Sequence, residues 1–381
     1  MAAAAILPWS REYFVAHWEW RPLYLLFLSF ALAYLLTPMV AKLATAAGAM
    51  DYPSARKVHS RPTPLWGGLA IYIAFATVTL YNFDFSLAQK GIAIGGTLLV
   101  GVGILDDKSG VPAKIRLLVQ IIAASIAIYA GARMTFLPDV WWGDALEIAL
   151  SLVWFIGITN AMNFLDGMDG LCTGLTAINA FFFGIVAFTT GQSFFMFLSA
   201  ILCGACLGFL PYNFRKKKPA LIFLGDAGSP FLGFTLAGIA LTGDWAADNY
   251  VAIIVPVIIL AIPIFDMTLT TVMRIKEGKV KSVGEWLAFT GKDHFHHRLA
   301  DMGFAKRQTV QLIYLFAICL GINGFILRHA TVIEAGLLLL ETTILFVFGG
   351  FALVFVKRQY MIKENGNCDQ STEIYSEESV S

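Results

Sequence analysis

Four short clusters carry residue types that do chemistry. Asp106 and Asp107 are adjacent in LDDKSG (105–110) and are followed by Lys108, Lys114 and Arg116. Neighbouring carboxylates beside apolar sequence are costly unless cations or a metal offset them. The pair reads either as an interfacial acid pair balanced by those cations or as a metal-proximal acid beside a proton acceptor. In NAMNFLDGMDG (160–170), Asn163, Asp166 and Asp169 recur every third residue. A helical turn would bring them onto one face, and Gly167 and Gly170 would let backbone approach a ligand. A loop with Asx-turns is the plainer reading; a calcium loop is excluded by the spacing and the missing closing Glu.

The third cluster is LGDAGSP (224–230). Ser229 as N-cap with Pro230 at the first helical position predicts a helix start, and the positive end of that helix suits phosphate. Asp226 is then a cap or a Mg²⁺ ligand. The fourth is DHFHHRL (293–299), where His294, His296 and His297 make up half of the six histidines. No Cys accompanies them and the acids elsewhere are hard oxygen donors, so phosphate or leaving-group contacts are favoured over zinc. A solvated basic loop is the plainer reading. Together the parts suit diphosphate chemistry, in which Mg²⁺ takes one or two carboxylates plus phosphate oxygens and Lys, Arg and His offset the remaining charge.

The elements that must position these clusters are membrane helices. The chain has 381 residues, 58% hydrophobic and 14% charged, with a mean hydropathy of +0.71, far from a soluble globular average. A net charge of +1 argues against a nucleic-acid partner. Five cysteines imply no disulfide framework, and Cys203 and Cys206 in LSAILCGACLGFL read as packing residues of a membrane helix. No removable signal peptide is evident. Apolar runs long enough to cross about 30 Å of hydrocarbon recur near 22–40, 65–81, 90–105, 117–132, 145–162, 173–190, 194–213, 229–243, 250–272, 309–327 and 335–356.

The expected fold is an all-α polytopic membrane protein of about eleven transmembrane helices. Residues 1–21 form an interfacial N-terminal segment, 22–356 the membrane domain, and 357–381 a polar, disordered tail. Of the 27 Lys and Arg, 22 fall on the side of the links after the odd-numbered spans, which predicts a periplasmic N-terminus and a cytoplasmic C-terminus. All four clusters then lie on the cytoplasmic side. A transporter built on intramembrane acids, of which Asp266 is the clearest, is the reading from another class; one-sided clusters and the lack of an internal repeat argue against it.

The four clusters, in this order, resemble those of the polyprenyl-phosphate N-acetylhexosamine-1-phosphate transferases (glycosyltransferase family 4), over about residues 30–330. The first loop, DYPSARKVHSRPTPLWGG, and His-Phe-His-His resemble the WecA-like branch. The resemblance implies transfer of GlcNAc-1-phosphate from a UDP-N-acetylhexosamine to undecaprenyl phosphate, with release of UMP; an MraY-like transfer of phospho-MurNAc-pentapeptide is the alternative. It implies Mg²⁺, with Mn²⁺ as an admissible substitute, on Asp226 and Asn163. It makes Asp106 the acid that deprotonates the lipid phosphate, Asp107 its neighbour, and His294, His296 and His297 catalytic. Asp51, Arg56, Lys57, His59, Lys114, Arg116, Asn160, Asp166, Asp169, Asn213, Phe223 and Arg298 are the implied substrate contacts, Phe223 stacking on uracil. The lipid bilayer is the implied setting, and a homodimer is compatible with it.

Overall fold

The computed structural model describes residues 12–14, 17, 19–53, 61–216, 218–281, 285, 291 and 293–377, with side chains to residue 354. Arg56, Lys57 and His59 lie outside the described residues. The helices are α1 (Arg21–Ala47), α2 (Gly67–Asn82), α3 (Leu87–Ser109), α4 (Ala113–Tyr129), α5 (Trp141–Phe164), α6 (Leu171–Thr189), α7 (Ser193–Asn213), α8 (Ser229–Thr242), α9 (Asn249–Ile259), α10 (Ala261–Lys276), α11 (Phe295–Asp301), α12 (Lys306–Leu327) and α13 (Val332–Glu377). The backbone of α13 continues through most of the segment expected as a polar tail. A two-stranded antiparallel ribbon, β1 (Met50–Asp51) with β2 (Thr63–Pro64), joins α1 to α2.

Each of the eleven apolar runs is helical, and the protein is a multi-pass membrane protein. Seven described helices are long and apolar enough to cross a bilayer, or eight if α9 and α10 form one bent span. The run at 250–272, expected as one helix, breaks by 73° between Ile259 and Ala261. Pro263 explains the break: it has no N–H for the carbonyl of Ile259, and its ring crowds that carbonyl. The α8 helix has 14 residues and so spans about 21 Å. It is buried on all sides, with Ser229 through Ala240 almost wholly enclosed except at Pro230, as expected of a helix that is apolar all round.

Small residues set how closely the helices approach. On α7, a Cβ at Gly204 would lie 2.2 Å from the Leu26 carbonyl oxygen, and one at Gly208 would lie 2.3 Å from that of Phe30, so the pair lets α1 seat directly on α7. Cys203 and Cys206 are buried free thiols in this same helix, as their setting implied.

The segment 223–228 is clasped from two sides. The N–H groups of Gly67 and Gly68, opening α2, donate to the carbonyls of Phe223 (2.9 Å) and Leu224 (2.8 Å), and the Phe223 N–H donates to Pro64 of β2 (2.9 Å). Trp66, at a positive φ of 71°, donates its indole N–H to the Ile104 carbonyl of α3. A Cβ on Gly68 would meet the Cα of Gly228 at 2.0 Å, and one on Gly103 of α3 would meet the Asp226 carbonyl oxygen at 2.0 Å. Gly68→Ala and Gly103→Ala should each therefore lower the thermal midpoint of the detergent-solubilised protein, by an overpacking cost of about 1–3 kcal/mol. Gly101→Ala, where a Cβ meets open space, should leave it unchanged.

Candidate active site

The four clusters converge on one cavity of about 530 Å³ at the end of the bundle where α3, α5 and α7 finish and α8 begins. Its lining includes the carboxylates Asp51, Asp106, Asp107, Asp166 and Asp226, the cation Arg116, the amides Gln120, Asn160 and Asn163, and His294 and His297. Leu99, Val102, Leu117 and Pro230 extend it with an apolar wall between α3, α4 and α8. A polar floor continuing into a hydrocarbon-like wall suits a ligand that is charged at one end and apolar at the other.

The two neighbouring acids are both engaged, in different ways. Asp107 accepts the N–H of Asp226 on Oδ1 (2.8 Å) and that of Ala227 on Oδ2 (3.1 Å). It closes the 225–228 turn onto α3. Gly225 sits at φ 75°, where a Cβ would lie 2.5 Å from Asp107 Oδ2, so both the conformation and the space require glycine. Asp166 faces the Gly225 N–H from the other side of the turn. Asp106 accepts the Val111 N–H on Oδ1 (2.6 Å) and an Arg116 N–H on Oδ2 (2.8 Å).

Asp226 is placed differently. Its side chain keeps 33% of its surface open to the cavity, and Arg116 lies 3.7 Å from its Oδ2. Asn163 donates to its Oδ1 at 2.6 Å and to the Ser229 hydroxyl at 3.0 Å. Burial first, and the charge of Asp106 second, push the Asp226 carboxyl above its ordinary range, against the pull of Asn163 and Arg116. Ser229 was expected as the N-cap of α8; Gly228 holds that position, and Ser229 is the first helical residue, with its hydroxyl donating to Gly225 (3.2 Å) and accepting from Asn163. The turn needs that hydroxyl inward, which its position inside the helix supplies.

The every-third-residue pattern holds only in part. Asn160 and Asn163 lie on the last turn of α5, Asp166 lies in a 3₁₀ turn (Leu165–Gly167), and the chain is extended at Met168. Asp169 is therefore exposed and outside the cavity. Asn160 exchanges amide hydrogen bonds with Gln120 (2.8 and 3.3 Å). Asn213 is buried and acts as a staple, accepting from Gly170 N–H (2.6 Å) and donating to the Ile222 carbonyl (3.0 Å), which ties two clusters together. Lys114 is exposed, and neither it nor Phe223 lines the cavity.

The histidines divide by partner. His294 Nδ1 lies 2.8 Å from Asp266 Oδ2, whose Oδ1 accepts the Phe295 N–H (2.7 Å), and His294 Nε2 lies 3.3 Å from an Arg274 nitrogen. Arg274 grips Asp293 through two hydrogen bonds (2.7 and 2.8 Å). Burial opposes the charge of Asp293, yet the hydrogen bond and charge of Arg274 hold its carboxyl below the usual range. Arg298 donates to the Asp293 carbonyl (2.8 Å) and does not line the cavity. His296 is fully buried, with neither ring nitrogen hydrogen-bonded among the described residues, and lies between His294 and His297. Burial holds its pKa down to about 3. His294 and His297 both line the cavity, whereas His296 does not.

Sequence reasoning overlooked Asp266, Arg274 and Asp293 as builders of this site. The signal was present in an acid and an arginine two turns apart on a helix facing the histidine loop, but only packing shows which loop they meet.

A model of glycosyl transferase family 4 matches residues 90–244. A "Probable undecaprenyl-phosphate N-acetylglucosaminyl 1-phosphate transferase" of Bacillus subtilis (strain 168) is 35% identical over 304 residues, 78% of this chain and 82% of that protein. The chain belongs to glycosyl transferase family 4. A decaprenyl-phosphate N-acetylglucosaminephosphotransferase of Mycolicibacterium smegmatis is 34% identical, covering 75% of this chain and 77% of its own length. The undecaprenyl-phosphate alpha-N-acetylglucosaminyl 1-phosphate transferase of Escherichia coli (strain K12) is 27% identical, with 82% and 85% covered. The matched stretch of this family 4 transferase runs from the first turn of α3 through α8, and with it come five of the cavity's polar residues around the 225–229 turn: Asp106, Asp107, Arg116, Asn163 and Asp166.

Two outcomes follow from the histidine cluster. Asp266→Leu should leave His294 and the Phe295 N–H without their partner together and cost about 3–5 kcal/mol of stability, as loss of one partner from a buried pair does, measured by thermal unfolding in detergent. His296 is uncharged in the fold but takes up a proton near pH 6.5 when unfolded. Its contribution is therefore intact above that pH and is lost as pH falls from about 6.5 to about 3. The loss of thermal stability on acidification should be smaller in His296→Leu than in the parent protein.

Proposed function

We propose that the protein transfers N-acetylglucosamine 1-phosphate from UDP-N-acetylglucosamine to a polyprenyl phosphate, undecaprenyl phosphate being the expected acceptor, and releases UMP. The observation that carries this reading is the single cavity in which a carboxylate-rich, histidine-edged floor meets the apolar α3–α4–α8 wall; the activities for which the relatives are named agree with it. In this reading the eleven apolar helices all cross the inner membrane, and the cavity opens to the cytoplasmic side.

The donor set suits Mg²⁺. Five carboxylates against one arginine leave the cavity short of positive charge, and no three His, Cys, Asp or Glu side chains among the described residues form a closed metal cage. Mg²⁺ typically takes one or two carboxylates and completes its shell with substrate phosphate and water. Asp226 would hold it, with the Asn163 Oδ1 as a second contact, since the Asn163 nitrogen already faces Asp226. When bound, Mg²⁺ neutralises charge on the diphosphate oxygens.

The chain's own residues favour a single displacement. Both oxygens of Asp106 and both of Asp107 already accept hydrogen bonds, so neither is poised as a nucleophile. An oxygen of the lipid phosphate attacks the β-phosphorus of the UDP-sugar, the bond from that phosphorus to the bridging oxygen breaks, and UMP departs with the electron pair. Arg116, bridging Asp106 and Asp226, orients the incoming phosphate. A phosphate monoester loses its second proton near pH 6, so Asp106 has little proton to remove.

UMP release from UDP-N-acetylglucosamine with undecaprenyl phosphate and Mg²⁺, with mass spectrometry of the lipid product, tests the reading; a panel of other UDP-sugars should give little product. Asp226→Asn should lower the rate by roughly 10²–10³-fold. The acidic limb of the pH–rate profile should stay near about pH 6 in Asp106→Asn, because the substrate's own ionisation sets it. Labelled UMP should not exchange into UDP-N-acetylglucosamine without lipid acceptor; exchange would establish a covalent intermediate instead.

A further inference from the structure

A second cavity, of about 740 Å³, lies at the same end of the bundle but behind the β-ribbon, between the last turns of α1 and the segment that follows α7. Its charged lining is cationic, with Lys42 from α1, Arg61 from the approach to β2 and Arg215 after α7, and no acid among the described lining residues. The elements around it supply none either. No Asp or Glu occurs in 20–50, in 52–83 or in 170–225, and the intervening Asp51 lines the first cavity instead. The rest of the lining is apolar or small, including Pro38, Ala41, Met50 and Leu221.

Beneath the cations α1 presents hydrocarbon. Met39 and Leu35 lie one and two turns before Lys42 on the same side of the helix and are 64% and 53% exposed, and neighbouring Leu43 is 54% exposed. Three cations at a helix end, a lining without acids among the described residues and an open apolar stripe running into the bilayer match an amphiphile with an anionic head. The volume falls in the range of small-molecule sites.

We propose that this cavity binds the phosphodiester headgroup of an anionic glycerophospholipid of the bilayer, with its acyl chains along the Leu35–Met39–Leu43 side of α1. The site is separate from the carboxylate cavity but shares a wall with it. Pro64 of β2, which lines the cationic cavity, accepts the Phe223 N–H, and Phe223 lies three residues before Asp226. A headgroup seated there braces the ribbon that clasps the 223–228 turn. The occupant is a bilayer phospholipid rather than the reaction's lipid acceptor, because the apolar wall of the first cavity lies on α3, α4 and α8, away from α1.

The test is native mass spectrometry of the full-length protein released from vesicles of phosphatidylcholine containing a minority of phosphatidylglycerol. The parent protein should retain phosphatidylglycerol over phosphatidylcholine. Lys42→Gln/Arg61→Gln should reduce that retention by roughly fivefold per cation, and Arg215→Gln should act in the same direction. Lys276→Gln/Lys279→Gln, removing two exposed cations at the end of α10, should leave it unchanged. An unchanged thermal midpoint for each variant shows that folding is intact. Equal retention by the parent and Lys42→Gln/Arg61→Gln would overturn the proposal, as would an equal loss in the Lys276/Lys279 control. Stoichiometric displacement of phosphatidylglycerol by polyprenyl phosphate, or by inorganic phosphate, would likewise overturn it and assign the cavity to the acceptor lipid or to a free anion.

Discussion

One carboxylate, that of Asp107, satisfies the backbone N–H groups of both Asp226 and Ala227, and the remainder of the site is arranged around that clasp. A turn buried among membrane helices cannot leave its N–H groups bare, since each unsatisfied group costs several kcal/mol in a low-dielectric interior. The end of α3 supplies the acceptor from one side, while the opening N–H groups of α2 serve the carbonyls of Phe223 and Leu224 from the other. Glycine at 68, 103 and 225 is what allows three backbones to meet at this distance. Asp226 is thereby held at the cavity with its carboxylate unspent by the backbone. The adjacency of Asp106 and Asp107 then has a division of labour: one orders the turn, and the other orders Arg116.

The histidine side is built by a second clasp of the same kind. Asp266, fully buried on α10, takes both the His294 ring and the Phe295 N–H, and Arg274, two turns on, grips Asp293. The bend between α9 and α10 directs α10 against the loop that carries these residues. An intramembrane acid that suggests ion transport when read alone is thus explained by a local polar network whose charges are compensated by neighbours. His296 is buried behind the cavity while His294 and His297 line it, although three near-adjacent histidines look equivalent as letters.

Much of this protein was legible before any coordinates. Hydropathy located every apolar helix because the bilayer demands long apolar stretches with internally bonded backbone. The four polar clusters do gather at one end, and Asp106, Asp107, Asn163 and Asp226 share one cavity. The errors were local and geometric. The every-third-residue pattern from Asn160 to Asp169 predicts one face, but the helix ends at Phe164 and Asp169 turns away. The 250–272 run has the composition of one span, yet it breaks at Leu260, three residues before Pro263.

What the sequence determined by itself was the solvent, the chemistry and its location: a bilayer, hard oxygen donors with histidine and arginine, and a concentration of them at one end of the helices. These follow from composition and spacing, which are properties of single segments. The tertiary structure decided which carboxylate is spent on backbone and which remains for a ligand, which histidine is wall and which is rim, and that a cationic cavity lies behind the β-ribbon. Those depend on contacts between residues far apart in the chain, such as Asp107 with Asp226 and His294 with Asp266. No local pattern encodes the distance between two such groups until the helices have packed.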